Sequence, residues 1–252
     1  MMTIQVTFGD DRFATVTDEP LRIPPRFTGD SVDVVPYGDR RGRERFLGGT
    51  FGSQEWLWDT PDVLRFDPDS RELAGVELQM PYVSACAETS LRGPVLPAVR
   101  RGGLRAEEVR AFRQETCTVL CRAPGDSVLT CLRDLDVLQA PLDARIGIAP
   151  DVALLVRRGA VVGWSLTDPV RHLATAYAAP DPAPPSPATR ALLGSCLDLV
   201  TDPLLGQVQD GEPAALARLR EVHRALVVQR GAGHDRHRAD ALLSLIGNLV
   251  EG

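Results

Sequence analysis

His234-Asp235-Arg236-His237 is the densest run of titratable side chains in the chain, and Asp240 follows three residues later. At a helix start, residues three apart share a face, so His234, His237 and Asp240 can meet. That combination suits a divalent metal or a general base. The other two histidines are His172 and His223, and a complete site would need one of them or another ligand. His223 falls between Leu219 and Leu226 on the inward face of a predicted helix, where a histidine is ordinarily a satisfied core residue. Two ligands fall short of a metal centre, so no metal and no cofactor is expected.

The five cysteines, Cys86, Cys117, Cys121, Cys131 and Cys196, are odd in number and irregularly spaced, which argues against a secreted disulfide framework. Cys117 and Cys121 lie on a predicted strand, about 13 Å apart at ~3.3 Å per residue, too far to share one zinc ion. Cys86 has no histidine partner that a local pattern identifies. Asp67/Asp69 read as turn residues, and Asp134/Asp136 as a carboxylate pair on one strand face or as a strand end.

The chain contains no lysine, so all 28 basic residues are arginine; it has a single asparagine, Asn248. Codon bias in a GC-rich, bacterial-like genome accounts for this. The absence still excludes lysine Schiff bases, P-loop lysines and the usual kinase lysine. With a net charge of −6, scattered arginines do not form a nucleic-acid footprint. Arg43 and Arg45, close in sequence to Trp56 and Trp58, are the preferred ligand or partner surface, since guanidinium groups hold phosphate or carboxylate by paired bonds.

The elements that must position these residues change character along the 252 residues. Before residue 177 the apolar residues alternate in twos, as in half-buried strands. Residues 38–49 read as an exposed loop, and three hairpins follow: Val63 to Met80, Thr116 to Arg133, and Asp151 to Thr167. The first and third share Pro-Asp-Val at the start and apolar-x-Gly-apolar-x-Leu-x-x-Pro at the end, which suggests an internal repeat giving two lobes. Leu104 to Glu115 reads as an intervening helix. Residues 178–187 (AAPDPAPPSP) form a stiff proline-rich linker. Beyond it the period becomes helical, with starts at Ser186-Pro187, Glu212-Pro213 and Asp235.

The fold class expected is α+β: an antiparallel β-rich body over 1–177, the linker at 178–187, and a three-helix unit over 188–252. No leader and no membrane-length apolar run is visible, which points to a soluble cytoplasmic protein. No nucleophile elbow, dinucleotide fingerprint, zincin motif or EF-hand loop is present. The leading functional expectation is a non-catalytic binding or accessory protein for a peptide, a protein partner or a small anionic ligand. The alternative is a hydrolase or lyase built on His234 and His237, with Asp240 and His223 as helpers.

Overall fold

The computed structural model describes residues 4–9, 12–53, 61–82, 93–233 and 235–251. The chain opens with the hairpin β1 (Gln5–Phe8) and β2 (Arg12–Thr17). β3 (Arg26–Phe27), β4 (Ser31–Val34), helix α1 (Arg40–Gly49), β5 (Phe51–Gly52), β6 (Val63–Phe66) and β7 (Leu73–Gln79) follow. β8 (Val99–Arg101) and β9 (Gly103–Ala106) precede β10 (Val119–Arg122), β11 (Val128–Leu132), β12 (Ala144–Ala149), β13 (Val152–Arg157) and β14 (Ala160–Thr167). Helices α2 (Pro187–Leu199), α3 (Leu204–Gln209), α4 (Pro213–Gly231) and α5 (Arg236–Glu251) close the chain. The architecture is α+β, and no helix among the described residues is long and apolar enough to cross a membrane.

The strands form two sheets. The smaller runs β3-β4-β7-β6-β5. The larger contains β10-β11-β14-β13-β12, the same order, extended by β8 beyond β12 and by β1, β2 and β9, which branch from β14. The registers also correspond. Val32 pairs with Leu78 and Leu129 with Leu166. Gly75 faces Arg65 and Gly163 faces Leu155, each beside a register shift. A Cβ at Gly75 would lie 3.0 Å from the Val34 carbonyl oxygen, and one at Gly163 only 2.1 Å from that of Cys131. Val34 and Cys131 each pair with the residue after the glycine, so both glycines admit a neighbouring strand at the same place.

One continuous core joins both sheets to the helices, running from Phe27, Leu78 and Trp164 to Leu197, Leu226 and Ile246. Each such side chain contributes about 1.5–3 kcal/mol on burial. A smaller cluster of Val119, Cys121, Leu132 and Leu155 lies under a 3-10 turn at Leu135–Gln139. The proline-rich stretch is bound to α5. Arg238, fully buried, donates to the carbonyls of Asp181 (2.8 Å) and Ala183 (2.5 Å) and pairs with buried Asp235 at 2.5 Å. Asp235 in turn accepts from the Ser186 N–H and the Thr189 hydroxyl at the start of α2.

Four expectations are corrected. Residues 38–49 are not a loop: Asp39 caps α1 by accepting from the Gly42 N–H at 2.6 Å, and Arg40 pairs with Glu44 one turn on at 3.4 Å. Its three glycines and lack of a buried face hide it from periodicity. No helix spans 104–115. Leu104 and Ala106 are buried with Arg105 exposed between them, and this strand pairs with β2; the open sheet edge overrides local helix preference. The larger sheet is mixed rather than antiparallel, since β1 runs parallel to β14 and β8 parallel to β12; the smaller sheet is antiparallel throughout. The C-terminal unit has four helices, because α3 forms in the connection after α2.

Candidate functional site

Strand alternation sorts β4 and β7 into two faces. Val32, Val34, Val76 and Leu78 are fully buried in the core. The other face carries Ser31, Asp33, Glu77 and Gln79, with Ser31 paired to Gln79 and Asp33 paired to Glu77. These four line a cleft of about 510 Å³, closed on its other side by residues 174–177, by Leu205 and Gln209 of α3, and by Ser244 and Asn248 of α5. All three tyrosines of the chain, Tyr37, Tyr82 and Tyr177, line it too, as does its only asparagine. Tyrosine offers rigid, amphipathic contact area with little rotamer entropy to lose, so such a gathering suits recognition.

The two carboxylates have unequal surroundings. Glu77 is buried and held from two sides: the Tyr37 hydroxyl donates to Oε1, and Arg43 donates through Nε to Oε1 (3.0 Å) and through Nη2 to Oε2 (2.8 Å). Burial, then the hydrogen bond to Glu77 and its charge, pushes the Tyr37 hydroxyl far above its ordinary pKa, so it stays a donor. Asp33 lacks such a partner. Its Oδ2 lies 4.0 Å from Arg26 Nη2, and the Ser31 hydroxyl donates to Oδ1 at 3.3 Å. Arg26 donates through Nη1 to the Tyr37 carbonyl at 2.8 Å and stands 5.6 Å from the Tyr37 ring centroid, while its buried Nη2 makes no hydrogen bond. Burial and the neighbouring Glu77 charge raise the Asp33 pKa from 3.8 to about 6, against the pull of Arg26. Asp30 adds an exposed carboxylate at the rim, accepting from the Thr28 hydroxyl at 2.5 Å.

The residues singled out from sequence are dispersed. Arg43 belongs to the cleft, but as the counter-ion of Glu77. Arg45 is exposed on α1. Trp56, Trp58, Cys86 and His234 lie outside the described residues. His237 is exposed in the first turn of α5, and Asp240 pairs with Arg230 at 2.8 Å. His223 borders a groove with Leu249 and Val250 at the far end of α5, so it does not join His237. His172 is buried, with Nε2 3.1 Å from Asp151 Oδ2; burial lowers its pKa and Asp151 opposes that. The thiols of Cys117, Cys121, Cys131 and Cys196 are free, buried and raised in pKa by that burial. Asp134 caps the 3-10 turn by accepting from the Val137 N–H, and Asp67 accepts from the Asp69 and Ser70 N–H groups of its turn. Among the described residues no three histidine, cysteine or acidic side chains are placed to hold a metal.

Asp33 and Glu77 escaped the sequence reading. The available signal was an acid between valines in Ser-Val-Asp-Val and one between apolar residues in Gly-Val-Glu-Leu, each in a strand whose alternation was otherwise used only to find strands. No family model, no curated protein and no solved structure matches this chain.

Proposed function

We propose that the protein is a non-catalytic binding protein whose cleft grips a cationic, hydrogen-bonding group, the guanidinium or amine of a partner peptide. The observation that carries this reading is the Asp33–Glu77 cross-strand pair. Like charges directly opposite each other destabilise a sheet. Here one carboxylate is bonded on both oxygens by Arg43, and the other has only Arg26, 4.0 Å away. A ligand cation beside Asp33 supplies the missing charge, and the tyrosines surround its stem.

The same geometry argues for binding over catalysis. Glu77, with both oxygens engaged, is poorly placed as a nucleophile or base, and buried thiols of raised pKa are poor nucleophiles. The histidine-based hydrolase or lyase gains no support from an exposed His237 and an arginine-paired Asp240. An anionic ligand fits this cleft badly, because three carboxylates face one arginine there. Buried free thiols suit the reducing cytoplasm, where we place the protein.

Calorimetric titration with arginine amide and with a short arginine-bearing peptide tests the proposal. Saturable binding weakened at least tenfold by Asp33→Asn is expected. Absence of saturable binding, or binding indifferent to Asp33, rejects it.

We also infer that the two five-strand units arose by duplication. Their shared strand order, matched glycines and matched register shifts support this. An experimental structure in which residues 26–79 and 119–167 failed to superpose strand for strand would remove the idea.

A further inference from the structure

The second unit carries its own cleft, of about 850 Å³, on the face of its sheet where β8, β12, β13 and β14 lie side by side. Its chemistry is opposite to that of the first. At the positions matching Asp33 and Glu77 stand Thr130 and Ser165, paired across β11 and β14 and buried beneath rather than lining the cavity. The floor is made of small residues, Gly147, Ala149 and Ala153. Across it lies Arg145, which donates through Nε to the Ser165 hydroxyl and through Nη2 to the Thr167 hydroxyl, both at 3.1 Å. Its guanidinium is half-buried, held by neutral groups. Burial lowers its pKa with no neighbouring charge to offset that.

Two more arginines reach the same cavity. The parallel pairing of β8 with β12 sets Arg101 opposite Gly147, on the face that Arg145 shares. The Leu21 N–H donates to the Ile148 carbonyl at 2.8 Å, which fixes the segment bearing Arg22 at the rim. Two carboxylates also border the cavity. Asp151 is bonded to His172, and Asp18 is exposed. Because the chain carries a net charge of −6, its overall field does not attract anions, and a local arrangement must do so.

We infer that this cleft binds a small molecule through an oxyanion group, phosphate or carboxylate, with Arg145 as the ligand on the floor and Arg101 and Arg22 closing over it. Nη1 of Arg145 makes no hydrogen bond among the described residues and can meet the anion, while the two hydroxyls hold the guanidinium plane in place. The apolar rim residues Leu21 and Val99 receive the body of the ligand.

The test is calorimetry on the full chain in low-chloride buffer, with inorganic phosphate, glycerol phosphate and succinate as probes. Saturable binding of the phosphates alone assigns phosphate chemistry, and of succinate alone carboxylate chemistry; either supports the site. Arg145→Gln is expected to weaken binding at least tenfold, and Arg101→Ala at an exposed edge severalfold without loss of fold. Arg220→Ala, on exposed α4 surface, serves as the control and leaves binding unchanged. The Asp33→Asn variant keeps its anion affinity, which separates this site from the cation cleft. No saturable binding of any probe, or binding that survives both Arg145→Gln and Arg101→Ala, overturns the inference.

Discussion

Asp33 and Glu77 face each other across neighbouring antiparallel strands, so two carboxylates occupy one cross-strand pair on the wall of a tyrosine-lined cleft. Ionising both opposes folding; Glu77 is bonded by Arg43 and Tyr37, whereas Arg26 stands 4.0 Å from Asp33 without a hydrogen bond to it. Replacing the other carboxylate, by Asp33→Asn, is therefore expected to stabilise the protein at pH 7, by on the order of 2 kcal/mol. The same change abolishes the gain from a bound cation. Urea unfolding and titration with arginine amide, run on one sample, check the opposed effects; a destabilised variant would contradict the account.

The pH dependence follows from the raised pKa. Asp33 titrates near 3.8 in the unfolded chain and at about 6 in the folded one. Between those values the folded state holds a proton that the unfolded chain has released, so this group's contribution falls as pH rises. The stability difference between wild type and Asp33→Asn should open between pH 4 and pH 6 and stay constant above. Affinity for a cationic probe should rise through the same interval as Asp33 ionises. A flat difference across that range would refute the assignment.

Arg43→Ala separates a counter-ion from a ligand-binding arginine. Loss of the paired bonds to Glu77 should cost about 1–3 kcal/mol. It also leaves Glu77 short of positive charge, so a cationic probe should bind more tightly, by severalfold. If Arg43 instead held an anionic ligand, cation affinity would not change.

In and just after the His-Asp-Arg-His run, Asp235 and Arg238 matter most for stability. Asp235→Ala strands Arg238 in the interior and should cost about 3–5 kcal/mol. Hydrogen bonds from Thr189, Ser186 and Arg238 outweigh burial and keep Asp235 ionised well below the usual carboxylate range. His237→Ala, on an exposed first turn, should change stability by less than about 0.5 kcal/mol. Chemical denaturation of the two variants decides between a structural lock and a histidine-centred site.

Gly163→Ala should be among the more damaging glycine substitutions, because its Cβ would lie 2.1 Å from a backbone carbonyl oxygen that cannot move without parting β11 from β14. A loss of about 1–3 kcal/mol or more is expected. Gly75→Ala should cost less, since its Cβ would lie 2.9 Å from the tip of the Phe46 ring and 3.0 Å from the Val34 carbonyl oxygen, a much milder overlap. Thermal unfolding orders the pair.

Alternation and turn chemistry in the chain alone determined the hairpins at β6–β7, β10–β11 and β13–β14, because each joins neighbours in sequence and its signal is local. Proline at the start of α2 and of α4 likewise announced those helices. Only tertiary structure decided that Gly103–Ala106 would be a strand, that 40–49 would be helical, and that Asp33 would stand opposite Glu77. Forty-four positions separate those two acids, and nothing in either strand specifies which partner the other takes. The register is set by burying Val32, Val34, Val76 and Leu78 together, and once that face is buried the carboxylates have only the cleft left to occupy.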